Sequence, residues 1–238
     1  MTARAHEGLY DVVAAEYYDE RHVTSRNFDA ATRAAVSSMD LRGPRQGLVL
    51  DVGCGRGRCT EFLRVPGNRI VQLDNSLIML NMPGREAALV RVLHDAEELP
   101  FPDGQFTCVA AFLCDPFLGL NFLHEAHRVL KLGGLLIGTT PDLSWGVALR
   151  DGLGIDRMTT RFLLNDGSTE AIPSALFEPA QLREMLRRVG FDEARIPISR
   201  HRLPNDVPSV SPDILGPAAN LNIDPHDLDI LTVFTARR

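Results

Sequence analysis

Residues 50–57 read Leu-Asp-Val-Gly-Cys-Gly-Arg-Gly, and the reading of this stretch decides the fold. It overlaps the short apolar run 47–51 (GLVLD), passes through three alternating glycines, and leads into a brief helical segment closed by Pro66-Gly67. An apolar run, a glycine corner and a helical segment spell strand, turn, helix. In Asp51-x-Gly53-x-Gly55-x-Gly57, glycines at such a corner let backbone amides and carbonyls approach a ligand that a Cβ would hold away.

Outward from this unit the pattern repeats. Residues 69–74 (RIVQLD) form a second apolar run ending in an acid, and 76–82 (SLIMLNM) a short helix before Pro83-Gly84. Residues 88–93 read as a third strand, 100–104 (PFPDG) as a turn, and 106–113 (FTCVAAFL) as a strand apolar on both faces, as buried parallel strands are. Residues 118–130 carry apolar positions at Leu120, Leu123, Ala126 and Leu130, then Lys131 and a Gly133-Gly134 stop before a strand at 135–140. Alternating strands and helices imply an α/β domain whose parallel sheet is covered on both faces by right-handed crossovers, with ligands at the C-terminal strand ends.

The flanks are read more coarsely. Residues 8–22 look helical and hold all three tyrosines, Tyr10, Tyr17 and Tyr18, so 1–30 is expected to be a helical lid with Tyr18 as its ligand contact. Periodicity weakens over 141–177, where Trp145, Arg161 and Phe162 suggest an inserted substrate-side wall. A helix over 178–189 ends at Gly190, and strands follow at 193–200 and 229–236. Between them, 203–227 contains Pro204, Pro208, Pro212, Pro217 and Pro225 and reads as an extended surface loop.

Composition narrows the function classes. The 238 residues are 45% hydrophobic and 24% charged, which suits one domain spanning 1–238. Lys plus Arg number 25 against 31 Asp plus Glu, a net charge of −6 with no long basic run, so nucleic acid is not an expected partner. Cys54, Cys59, Cys108 and Cys114 make no C-x-x-C pair and have no His at zinc-ligand spacing, which fits a reducing, cytoplasmic setting. The first 22 residues lack the unbroken apolar stretch of a signal peptide, and no run approaches a membrane span. No oligomeric state is legible.

Two acids sharpen the glycine loop. A nicotinamide dinucleotide site would place its third glycine at position 58, but 58 is Arg and the glycine is at 57. Asp74 ends the second strand, 23 residues after Asp51, where a carboxylate can accept two hydrogen bonds from a ribose diol.

With VLDVGCGRG, LDNS, HDAEELPFPDGQF and LHEAHRVLKLGG in place, residues 49–140 resemble the class I methyltransferases that use S-adenosyl-L-methionine, in particular the small-molecule group. The resemblance implies a doubly wound, seven-stranded, mostly parallel sheet with its last strand antiparallel. It also implies that Gly53, Gly55 and Gly57 hold the methionine end, with Asp51 oriented toward the ammonium, and that Asp74 holds the ribose. Asp95 would accept from the adenine amino group, the Ala96 amide would face a ring nitrogen, Asn75 would lie against the ring, and Phe112 and Leu113 would border the sulfonium. Three positions depart from the family pattern: Thr107 replaces an Asp, Leu132 a Pro, and Asn75 an apolar residue.

For the chemistry, His22 and His201 are the candidate bases, His22 the preferred one, while His124 and His127 sit on a helix behind the sheet. Asp115 and Asp142 follow the strands that supply metal carboxylates in catechol-type relatives, but Leu143 stands in place of their third ligand, so no metal is expected. Cys114-Asp115-Pro116-Phe117 lacks the second proline of the adenine-N6 motif. The expected activity is methyl transfer to an oxygen or nitrogen of a small organic acceptor. A cofactor-binding protein without methyl transfer, regulatory or using the sulfonium for other chemistry, remains the alternative.

Overall fold

The computed structural model describes residues 9–17, 19, 22–39, 41, 46–82, 88, 90–164 and 166–238. The first strands are β1 (Val49–Val52), β2 (Ile70–Asp74), β3 (Val90–Leu93), β4 (Phe106–Ala111) and β5 (Leu130–Pro141). With β8 (Ile198–Arg202) and β9 (Asp229–Arg237) they form one seven-stranded sheet in the order β3-β2-β1-β4-β5-β9-β8. Strands β1 to β5 pair in parallel, while β9 runs antiparallel to both β5 and β8. The doubly wound sheet expected from the sequence is present.

Alternation along the central strands shows why both faces are covered. On β1 and β4, Leu50, Val52, Val109 and Ala111 join one cluster with Phe122, Leu123 and Ala126 of α5 (Leu120–Val129) and Leu182 and Leu186 of α7 (Pro179–Val189). Val49, Cys108 and Ala110 point the other way, into a cluster with Val36 of α2 (Val23–Ser37) and Phe62 and Leu63 of α3 (Cys59–Leu63). Because the central strands are buried on both sides, their sequences are mainly apolar and do not alternate with polar residues. Helix α7 is closed as its sequence specifies: a Glu178–Gln181 capping box at the start and Gly190, φ +111°, at the end.

Two expectations change. The segment 203–227 is not simply an extended loop, because Pro212–Asn220 forms helix α8. Pro212 sits in the first turn, where its missing amide costs nothing, and Ile214 and Ala218 are buried in one cluster with Trp145 and Leu149 of α6 (Leu143–Leu153). The helical lid expected over 1–30 falls partly outside the described residues. Its described residues form α1 (Leu9–Tyr17), which lies near β7 (Thr169–Pro173) and α4 (Leu77–Asn81), and the start of α2, which also packs on the sheet. The buried stripe Asn27, Phe28, Ala31, Thr32, Ala35 and Val36 on α2 explains that docking. Asn27 completes it, donating to the Ser209 carbonyl at 2.8 Å and accepting from the Ser211 amide at 2.9 Å.

The wall expected over 141–177 takes the form of α6 followed by a hairpin of β6 (Thr159–Leu163) and β7. No described helix is long and apolar enough to cross a membrane.

Candidate active site

Two adjoining clefts lie at the C-terminal ends of the parallel strands. The first, about 1170 Å³ with its mouth included, is lined by Gly53 and Gly55 after β1, Asp74 and Asn75 at the end of β2, and Asp95 and Ala96 after β3. Phe112 and Leu113 after β4 close its inner end. That size suits a small-molecule cofactor.

The β1 turn is built for close approach. Gly53 has φ +63°, and a Cβ there would lie 2.6 Å from the Phe117 ring. Gly57, φ +85°, is a glycine for a different reason: a Cβ would meet the Gln72 amide at 2.2 Å, so it serves turn and strand packing and does not line the cleft. Asp51 is likewise buried in β1 and outside the lining.

Asp74 ties the loops together. Its Oδ2 accepts from the Gly55 amide at 2.7 Å and its Oδ1 from the Ser76 amide at 2.9 Å. These two bonds fix the orientation of the carboxylate at the strand end. Asp95 is held more simply, with Oδ1 accepting from the Glu97 amide at 2.8 Å. A strand-end carboxylate, a glycine turn that a Cβ would obstruct, and a second carboxylate across the cleft together fit an adenosine-bearing ligand.

The sequence reading passed over Tyr17 and Tyr10 as cleft residues in favour of Tyr18, which lies outside the described residues. Tyr10 and Tyr17 line both clefts from α1, as does Leu113 from the β4 end. Burial first, then the carboxylates of Asp115 and Asp29, push the Tyr17 hydroxyl well above the ordinary range, so it is a neutral hydroxyl. Ser76 donates to Asp11 of α1 while capping α4 through the Met79 amide at 3.0 Å, which joins α1 to α4.

The second cleft is walled by His22, Phe28, Trp145 and Phe162, with Asp115 and Ser174 at its inner side. His22 stacks on Phe162, centroids 4.2 Å apart and planes 4° from parallel, and Tyr17 stacks on Phe162 at 5.7 Å and 15°. His22 also caps α2, its Nδ1 accepting from the Ser25 amide at 3.2 Å. In the neutral ring that assignment leaves the proton on Nε2, a donor. Burial lowers its pKa against the pull of Asp213, Glu16 and Asp19. His201 lines neither cleft and bonds Ser199 at 2.8 Å.

In the sequence Asp115 stands out as a strand-end metal carboxylate and as part of the incomplete Cys114-Asp115-Pro116-Phe117 motif, and no local pattern marks its other surroundings. It follows a strained turn in which Leu113, a non-glycine residue, has φ +51°. That turn is held by Thr139, whose hydroxyl accepts from the Leu113 amide at 2.8 Å and whose carbonyl accepts from the Cys114 amide at 3.0 Å. Burial pushes the Asp115 carboxyl up to about 7, against the opposing effects of the Ser174 hydroxyl bond and the nearby Arg150 guanidinium.

Asp142 is used structurally. It caps α6 through the Ser144 amide at 2.8 Å, accepts from Thr232 Oγ1 at 2.9 Å, and takes Arg200 Nε and Nη2 at 2.7 and 2.6 Å. Burial opposes its charge, but these partners outweigh it and hold its pKa below the usual carboxylate range. Burial raises the thiols of Cys59, Cys108 and Cys114, so none is a poised nucleophile.

Residues 50–138 match the family model described as a methyltransferase domain. Over 97 residues the chain is 38% identical to malonyl-[acyl-carrier protein] O-methyltransferase of Hamiltonella defensa, covering 39% of this chain and 37% of that protein. Over 113 residues it is 33% identical to the ubiquinone/menaquinone biosynthesis C-methyltransferase of Vibrio cholerae, covering 42% and 44%. The match thus spans less than half the length of these relatives. Among solved structures, a SAM-dependent methyltransferase from Thermotoga maritima superposes with TM-score 0.62 at 16% identity over 96% of this chain and 98% of its own. The DhpI–SAH complex gives TM-score 0.61 at 20% identity over 99% and 96%. At these identities the structures establish the shared fold.

Proposed function

This chain carries a class I S-adenosylmethionine-dependent methyltransferase domain, and from that premise we propose that it moves a methyl group to an oxygen or nitrogen of a small organic acceptor. The observation that carries the reading is the pair of clefts meeting at Leu113, Tyr10 and Tyr17, one suited to an adenosine-bearing cofactor and the other to an acceptor.

In the first cleft, Gly53 and Gly55 would hold the methionine end and Asp74 the ribose hydroxyls. Asp95, Ala96 and Asn75 would receive adenine, and Phe112 would border the sulfur. Asp51 and Gly57 would act from beneath the turn, maintaining its shape. Bound S-adenosylmethionine supplies an electrophilic methyl group. The chain's own contribution is to exclude water with α1 and to align the acceptor, and alignment alone can supply a large part of the acceleration.

The test is release of S-adenosylhomocysteine from protein and S-adenosylmethionine on addition of the small-molecule fraction of a cell extract. Extract-dependent release is expected. Cofactor binding with no release above background would instead favour a binding protein that does not transfer.

A further inference from the structure

We infer that the acceptor is a flat molecule with a weakly acidic hydroxyl of the phenol type, and that Asp115 takes its proton while Ser174 and Arg150 hold Asp115 in place. This rests on the proposed function and specifies its second cleft.

Three observations support it. First, the cleft is lined by the stacked His22–Phe162 pair, Phe28 and Trp145 together with Leu149 and Ile172, a ring-rich lining that suits a planar, largely apolar guest. Second, Asp115 faces this cleft and bonds Ser174 on the segment after β7. Third, Arg150 of α6 is fully buried and donates from Nη2 to Ser174 Oγ at 3.0 Å and to the Ser174 carbonyl at 2.8 Å. Its Nε donates to the Thr159 carbonyl at 2.8 Å and its Nη1 to the Gly146 carbonyl at 3.2 Å. Since Arg150 can only donate, the Ser174 hydroxyl that accepts from it is turned to give its own proton to Asp115.

Charge favours a hydroxyl over an ammonium acceptor. Asp115 removes the O–H proton, and the oxygen pair forms the bond to the methyl carbon as the carbon–sulfur pair returns to sulfur. The negative carboxylate and the positive sulfonium are thereby both discharged, which a low-dielectric site rewards. An ammonium acceptor would bring a second cation beside the sulfonium and leave a cation at the end. The groups facing Asp115 are Tyr17 from α1, the adjacent Cys114 thiol, Ser174 and Arg150, and burial keeps the first two neutral. His22 cannot substitute while its Nδ1 caps α2. Asp115 is thus assigned as the catalytic base, with Ser174 and Arg150 as positioning residues.

The experiment uses the whole chain with S-adenosylmethionine and three phenols of graded acidity: 4-nitrophenol, phenol and 4-methoxyphenol. Methyl transfer to them is expected, with kcat rising through about pH 7 as Asp115 ionises. Asp115→Asn should lower kcat by roughly 10²- to 10⁴-fold, least for 4-nitrophenol, with cofactor affinity unchanged by calorimetry. Ser174→Ala removes a bond that favours the carboxylate, so the rising limb should move to higher pH, and Ser174→Thr should restore it. Carboxyl carbon NMR on the cofactor-free protein should show the same displacement for Asp115. Cofactor binding without transfer to any phenol, an undiminished Asp115→Asn, or an Asp115 midpoint in the ordinary carboxylate range would each overturn the inference and leave the proposed function standing. Absence of cofactor binding would overturn the proposed function itself.

Discussion

At Gly53 an alanine methyl would sit 2.6 Å from the Phe117 ring on a backbone with φ +63°. Gly53→Ala should cost about 1–3 kcal/mol of stability in urea unfolding and weaken S-adenosylmethionine binding in calorimetry. A variant as stable and as tightly binding as wild type would contradict the role given to the turn. Asp142 makes a second prediction. Its folded pKa is depressed, so its stabilisation is present above the ordinary carboxylate value of about 4 and is lost as pH falls toward the folded value. Asp142→Asn should cost about 1–3 kcal/mol at pH 7, less than a fully buried pair because the Arg200 side chain is 40% exposed. The difference from wild type should shrink at acid pH. Legibility in sequence divides along the same line. Asp74 was visible because a carboxylate ending an apolar run has a local meaning. Asp115 was visible as a strand-end acid but the base role proposed for it was not, because Ser174, just after β7, and Arg150 of α6 come near it only after folding.

Elements whose signals are local match their sequence reading. Helix α7 has an amphipathic stripe, a capping box and a terminal glycine, and lies where the periodicity put it. Leu186→Ala on its buried face should lower unfolding free energy by about 2–5 kcal/mol in urea. A change below 0.5 kcal/mol would contradict its place in the core. Helix α8 was hidden because five prolines suggest a loop, although a first-turn proline is helix-compatible and the decisive contacts come from Trp145, Leu149 and Phe28 elsewhere in the chain. Trp145 donates to the Asp213 carbonyl at 2.7 Å, so the lone tryptophan anchors α8 as well as lining the second cleft. The stripe on α2 could have been found in the sequence by counting its i, i+4 apolar positions.

Across the whole molecule, the sheet brings four strand ends together beside α1, so two adjoining clefts share Tyr10, Tyr17 and Leu113. The regular half of the chain shares its sequence with methyltransferases, while α1, α6, the β6–β7 hairpin and α8, which build the second cleft, fall outside the matched residues 50–138. That division follows from physics: one cofactor imposes one set of contacts, whereas acceptor walls vary with the acceptor. The central claim is that Gly53, Gly55 and Asp74 hold S-adenosylmethionine. Calorimetric titration of S-adenosylmethionine into wild type and Asp74→Ala tests it most directly. Saturable one-site binding by wild type, weakened in the variant by about 2 kcal/mol, roughly 30-fold, is the predicted result. No binding by wild type, or an unchanged dissociation constant in the variant, would contradict it.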